Sequence, residues 1–226
     1  MHIKFYSHSC FVISIGKHQL MFDPFITGNP TAPTTDVNSI RADFIFVSHA
    51  HGDHMEDAMQ IAIQNKALLV SNYEITEWYL KKGLKNVKGI NHGGKTELDF
   101  GTVRYVNAIH SSTFPDGTYG GNPGGFVLET SEGNFYFAGD TALTMDMKLI
   151  PMTCKLKFAM LPIGGNFTMD FNDAVIASDF LECNKVIGMH FDTYPPIEIN
   201  HEEALNAFRT KGKELILLKP GESIDI

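Results

Sequence analysis

The sequence predicts an α/β fold in which two β-sheets pack face to face and carry helices on their outer surfaces. Three observations point there. Strand-like runs fill the first 50 residues and return from about residue 102. Helical patterns come after each strand-rich stretch, so the chain divides into two halves that each hold strands and helices. The polar residues best suited to chemistry fall where apolar strands end, as expected of a site on one rim of the sheets. No period recurs along the chain and no Ser/Pro linker or charge block interrupts it, so residues 1–226 are read as one domain.

The elements follow in order. IKFY and CFVISI are short β-rich runs, GKH makes a turn, and QLMF carries the chain to Asp23. DFIFVS is a further strand that runs directly into the motif HAHGDH. Beyond it, HMEDAMQIAIQ has apolar residues at helical spacing and predicts one helix over residues 54–64. ALLVS is a strand and YEITEWYLKK a second helix. TVRYVNAI, GFVLET and NFYFAGD are strands, the last two joined by a SEGN turn. The last third alternates: strand KFAMLP, helix DFNDAVIASDFL, strand KVIGMH, helix HEEALNAFR and strand ELILL. Asn200 is a good N-cap for the final helix, which assigns His201 a structural place.

Composition narrows the function. Eighteen Lys+Arg against 26 Asp+Glu leave a formal charge of -8, which opposes broad binding to nucleic acid or to an anionic membrane. Three cysteines without a CxxC pair suggest reduced thiols. The start MHIKFYSHSC has no apolar run of signal-peptide length, and no 18 apolar residues occur in succession. A cytoplasmic protein acting on a small molecule is expected.

Ser48 to His54 reads SHAHGDH, which places three of the chain's 10 histidines within six residues. His49 and His51, two apart in an extended loop, can point the same way, while Asp53 and His54 open the helix that follows. Imidazole and carboxylate are donors that zinc, iron, manganese and nickel accept. His110, Asp140 and His190 each close a later strand and are candidates for the remaining ligands.

Taken in order, HAHGDH, His110, the GD of FAGDT and His190 resemble the metallo-β-lactamase superfamily. MFDPFITGNP, LPIGGNFTMD and GMHFDTYP are similar to the metal-dependent hydrolases of that superfamily related to bacterial ascorbate-6-phosphate lactonase. The resemblance covers nearly the whole chain. It implies a four-layer αββα sandwich, a homo-oligomer, and two divalent metal ions, zinc foremost with manganese, iron or nickel as alternatives. It further implies one metal on His49, His51 and His110, a second on Asp53, His54 and His190, and Asp140 bridging them. Asp23 then becomes a carboxylate supporting the HAHGDH loop, and Asp53 the residue that orients the attacking water and takes its proton.

Such a pair of metals would activate a shared water as hydroxide for attack on a small ester, lactone or amide. His8, Tyr119, Asn166, Thr168 and Tyr194 are candidates for the pocket wall. No Lys or Arg occurs from Ala42 to Asn65, from Tyr105 to Met147 or from Phe158 to Asn184. Phosphate recognition usually recruits such cations, so the chain departs here from a phosphosugar lactonase. A phosphodiesterase or nuclease on the same metals is the first alternative. A non-hydrolytic diiron protein or metal-bound scaffold is the second.

Overall fold

In the computed structural model, which describes residues 1–226, both expected sheets are present with seven strands each. In chain order the strands are β1 (His2–Ser7), β2 (Cys10–Ile15), β3 (His18–Phe22), β4 (Phe44–Phe46), β5 (Leu68–Asn72), β6 (Val87–Ile90) and β7 (Lys95–Leu98). They continue with β8 (Gly101–Asn107), β9 (Gly124–Thr130), β10 (Asn134–Phe137), β11 (Leu156–Pro162), β12 (Lys185–Met189), β13 (Glu214–Ile216) and β14 (Ser223–Asp225). The helices are α1 (Gly52–Met55), α2 (Ala58–Asn65), α3 (Tyr73–Lys81), α4 (Phe171–Phe180) and α5 (His201–Arg209). The first sheet has the order β14-β1-β2-β3-β4-β5-β6 and the second β13-β12-β11-β10-β9-β8-β7.

Side-chain alternation sorts each strand between two cores. On β3 and β4, Leu20, Phe22, Phe44 and Phe46 enter the core between the sheets, while Met21 and Ile45 join the smaller core under α2 and α3. Phe22 stacks on Phe46 with ring centroids 4.9 Å apart and meets Phe137 of the opposite sheet at 4.8 Å. Ala174, Ala177, Ala204 and Phe208 of α4 and α5 cover the second sheet. The layers are therefore helix, sheet, sheet, helix. No helix is long and apolar enough to cross a membrane.

Two expectations need correction. The apolar pattern predicts no strand at β6, β7 or β14, and all three are edge strands of their sheets. An edge strand is paired on one side only and carries polar residues, so VKGI, KTEL and SID lack the apolar alternation of central strands. HMEDAMQIAIQ is also not one helix, because the chain breaks between α1 and α2 at Glu56 and Asp57. There the buried Asp57 carboxylate accepts the N–H groups of Ile26 at 2.7 Å and Thr27 at 2.9 Å, and its own N–H donates to the Pro24 carbonyl. This brace to the PFITGNP loop is a contact across 31 residues, invisible to a helical period.

Candidate metal centre

Strand direction brings the candidate residues to one rim. β3 and β4 are parallel, so Asp23 and the Ser48–His49 pair leave neighbouring strands at the same end. β10, β11 and β12 are likewise parallel, which sets Asp140 and His190 on the corresponding rim of the second sheet. β9 runs antiparallel to both β8 and β10, so β8 points with β10 and delivers His110 to the same place.

The side chains converge on one carboxylate oxygen. Asp140 Oδ2 lies 2.9 Å from His190 Nε2, 3.3 Å from His54 Nε2, 3.6 Å from His110 Nε2 and 3.9 Å from His49 Nε2. The ligand atoms of His49, His51 and His110 all lie within 4.8 Å of one another, as do those of His8, Asp53, His54 and His190. His49 Nε2 and His51 Nδ1 are 3.0 Å apart. Six of the seven residues expected at a metal fall in one of these two groups, Asp140 faces both through Oδ2, and His8 joins the second.

Asp23 settles which nitrogens are free. Its carboxylate accepts the Ser48 N–H and hydroxyl and the His54 Nδ1–H, each at 2.7 Å. With its proton committed to Asp23, the Ser48 hydroxyl accepts from His49 Nδ1 at 2.9 Å. His49 and His54 therefore both turn Nε2 towards Asp140, and Nε2 is the nitrogen each would offer to a metal. Asp23 is fully buried at a positive φ of 41°, and His190 has a φ of 56°, so the rim stores backbone strain at the site.

Buried charge is concentrated at the same place. Burial pushes the Asp140 carboxyl up, but His190 and His54 outweigh it and hold the group well below the usual carboxylate range. Burial pushes His54 down, but Asp140 and Asp23 on either side overcome it and raise the imidazole well above its usual value. Burial, and then the charge of His54, pushes His49 well down. Four buried polar atoms here, His8 Nε2, His54 Nε2, Asp140 Oδ1 and His190 Nδ1, have no aligned hydrogen-bond partner. A buried unpartnered polar group costs about 1–3 kcal/mol, so such a cluster fits a bound cation. The donor set, imidazole and carboxylate, fits a divalent transition metal.

Comparison with known proteins agrees with that geometry. Residues 2–190 match the family model described as the beta-lactamase superfamily domain. A UPF0173 metal-dependent hydrolase of Flavobacterium johnsoniae is 59% identical over 226 residues, covering 100% of both chains. One of Christiangramia forsetii is 56% identical over 227 residues, again covering 100% of each. The chain belongs to the UPF0173 metal-dependent hydrolases of the β-lactamase superfamily. Igni18, a metallo hydrolase from the archaeon Ignicoccus hospitalis, superposes with a TM-score of 0.89 at 31% identity, covering 99% of this chain and 98% of that one.

In this UPF0173 chain the pocket-wall candidates lie at different distances from the donor groups. Tyr194 is half-buried with its ring 6.1 Å from that of His8, so it borders the second donor group. Tyr119 is exposed and bonded to Asn122, Asn166 is exposed at a φ of 58°, and the Thr168 hydroxyl turns to the Met169 carbonyl. None of these three side chains is hydrogen-bonded to the cluster; the loop of Asn166 and Thr168 is tied beside it by the Met169 N–H, which donates to the Thr141 carbonyl next to Asp140. Ser48, Asp57 and Thr193 act on the site but were not legible, because small polar residues in loops carry no pattern.

One glycine is required by close approach. A Cβ on Gly120 would meet Ala50 Cβ at 2.2 Å and Ser112 Oγ at 2.7 Å, and Ser112 Oγ accepts the Ala50 N–H between His49 and His51. Gly120→Ala is expected to displace this loop, costing about 1–3 kcal/mol of stability and weakening zinc binding. A thermal melt and a chelator competition that both match the wild type would refute the contact.

Proposed function

We propose that the chain hydrolyses a small ester, lactone or amide with two divalent metal ions, zinc foremost and manganese, iron or nickel as alternatives. His49, His51 and His110 would hold one ion and Asp53, His54 and His190 the other, with Asp140 between them. The observation that carries this reading is the convergence of four imidazoles on Asp140 Oδ2, with Asp53 in the adjoining group. Ions so held supply Lewis acidity, which lowers the pKa of water towards neutrality and polarises the substrate's oxygen.

The chain's residues do the positioning. Asp23 locks His54 directly and His49 through Ser48, so each ring keeps Nδ1 on its support and Nε2 towards the site. Asp140, buried and held anionic, sets the charge between the two donor groups. Asp53 is the more open carboxylate, with 32% of its side chain exposed, and takes the proton that the attacking water loses. Its pKa is held down, against burial, by the neighbouring His8 and by the His54 charge, so the group is ionised.

The ion pairs made by Asp53 and Asp140 are all with histidine. Together with the stretches free of Lys and Arg, this favours an uncharged acyl substrate over a phosphate. The three unpaired thiols, two of them buried, suit a reducing cytoplasm. The test is elemental analysis of tag-free protein, followed by assays of loaded and chelated forms on matched aryl esters, lactones and bis-aryl phosphodiesters. About two metals per chain and chelator-sensitive ester or lactone turnover are expected. A preference for the phosphodiester would overturn the substrate class, and absence of turnover after metal reconstitution would favour the scaffold.

A further inference from the structure

His8 stands outside the seven donors assigned to the two ions, yet it is 1% exposed in the middle of them. Its ring centroid is 4.1 Å from that of His190 and 5.4 Å from that of His54. Nε2 lies 3.3 Å from Asp53 Oδ2, within ion-pair reach but not aligned as a hydrogen bond, and Nδ1 lies 2.9 Å from Thr193 Oγ1. Of the two acceptors open to the Thr193 hydroxyl, Nδ1 is nearer than the Phe191 carbonyl at 3.4 Å. Thr193 then donates to Nδ1, which leaves the imidazole proton on Nε2, facing the carboxylate.

The backbone is set for the same end. His8 lies in the β1–β2 turn at a φ of 59°, a conformation uncommon for a residue with a Cβ. Its carbonyl accepts the His190 N–H at 2.8 Å, tying this turn of the first sheet to the ligand loop of the second. A histidine serving only to fill the core would need neither the left-handed turn nor a carboxylate opposite its ring.

We propose that His8 is a positioning residue for Asp53, holding one carboxylate oxygen through Nε2–H so that the other is aimed at the metal, with Thr193 fixing the tautomer. This rests on the two-ion reading above. The effect should appear in metal affinity, before any turnover. Zinc binding to metal-free protein is measured by competition with a coloured chelator for the wild type, His8→Ala, His8→Gln, Thr193→Val, Asp53→Ala and the His8→Ala/Asp53→Ala pair.

His8→Ala should weaken the ion held through Asp53 by about 10- to 100-fold and leave the other ion unchanged. His8→Gln, whose amide N–H reaches the same place, should recover most of that loss, and Thr193→Val should fall between the wild type and His8→Ala. In the Asp53→Ala background, His8→Ala should cost no more than a factor of about 2. Wild-type affinity in His8→Ala, no recovery in His8→Gln, or an undiminished loss without Asp53 would each overturn the proposal. Thr193→Val leaves the imidazole in place and decides the matter if His8→Ala does not fold. A wild type that takes up a single ion would refute the two-ion reading, and the His8–Asp53 cycle on that ion would still decide the role of His8. A wild type that binds no zinc refutes both.

Discussion

Asp53→Ala is expected to lower kcat/KM by about 10²- to 10⁴-fold, the range over which a positioned acid or base contributes. The side chain belongs to the donor group of His8, His54 and His190, and it is the site carboxylate most open to solvent. Because it is partly exposed and contributes nothing to either apolar core, the melting temperature of the metal-free form should change little. Steady-state kinetics on the best ester or lactone, beside thermal melts of chelated protein, reads both effects. Cys183→Ser is the control: Cys183 is buried against the core and bonded to the Lys185 carbonyl, so its loss should leave metal content and turnover intact. An Asp53→Ala variant that kept full metal content and activity would remove Asp53 from the mechanism.

Asp23→Ala should act on stability and metal binding together. It strands three buried donors, the Ser48 N–H, the Ser48 hydroxyl and the His54 Nδ1–H. Burial pushes the Asp23 carboxyl up, against the His54 charge and these hydrogen bonds, so the group depends on its partners to remain ionised. Breaking a buried pair by removing one member costs about 3–5 kcal/mol. In a chain of this length that corresponds to a fall in melting temperature on the order of 10 °C. With Asp23 gone, His49 and His54 lose the constraint on their tautomers, and zinc affinity should drop by about 10- to 100-fold. Asp23→Asn keeps the volume but offers only one acceptor oxygen, so it should recover part of the stability and little of the affinity. Equal melts and equal zinc binding in wild type and Asp23→Ala would show that the carboxylate does not organise the ligands.

The residues of the centre were legible because metal chemistry restricts their type and because their strands are strongly apolar. HAHGDH leaves β4, His110 follows β8, Asp140 follows β10 and His190 follows β12, and each of these strands carries the alternation that marks a two-sided core. The edge strands β6, β7 and β14 were not legible, since pairing on one side only imposes no such alternation. His8 was visible as a histidine at a strand end, but nothing in its neighbours showed whether it would face a core or a carboxylate.

The sequence by itself determined the two sheets with their outer helices, the seven histidines and aspartates that are candidates for metal ligands and the shortage of cations around them, because periodicity, residue type and order along the chain are local properties. Tertiary structure alone decided the break between α1 and α2 at Asp57, the tautomers set by Asp23 through Ser48, and the contact of His8 with Asp53 and Thr193. Each of these depends on groups 25 to 185 residues apart becoming neighbours. Whether a buried donor finds its acceptor is settled only when strands from both sheets end on the same rim.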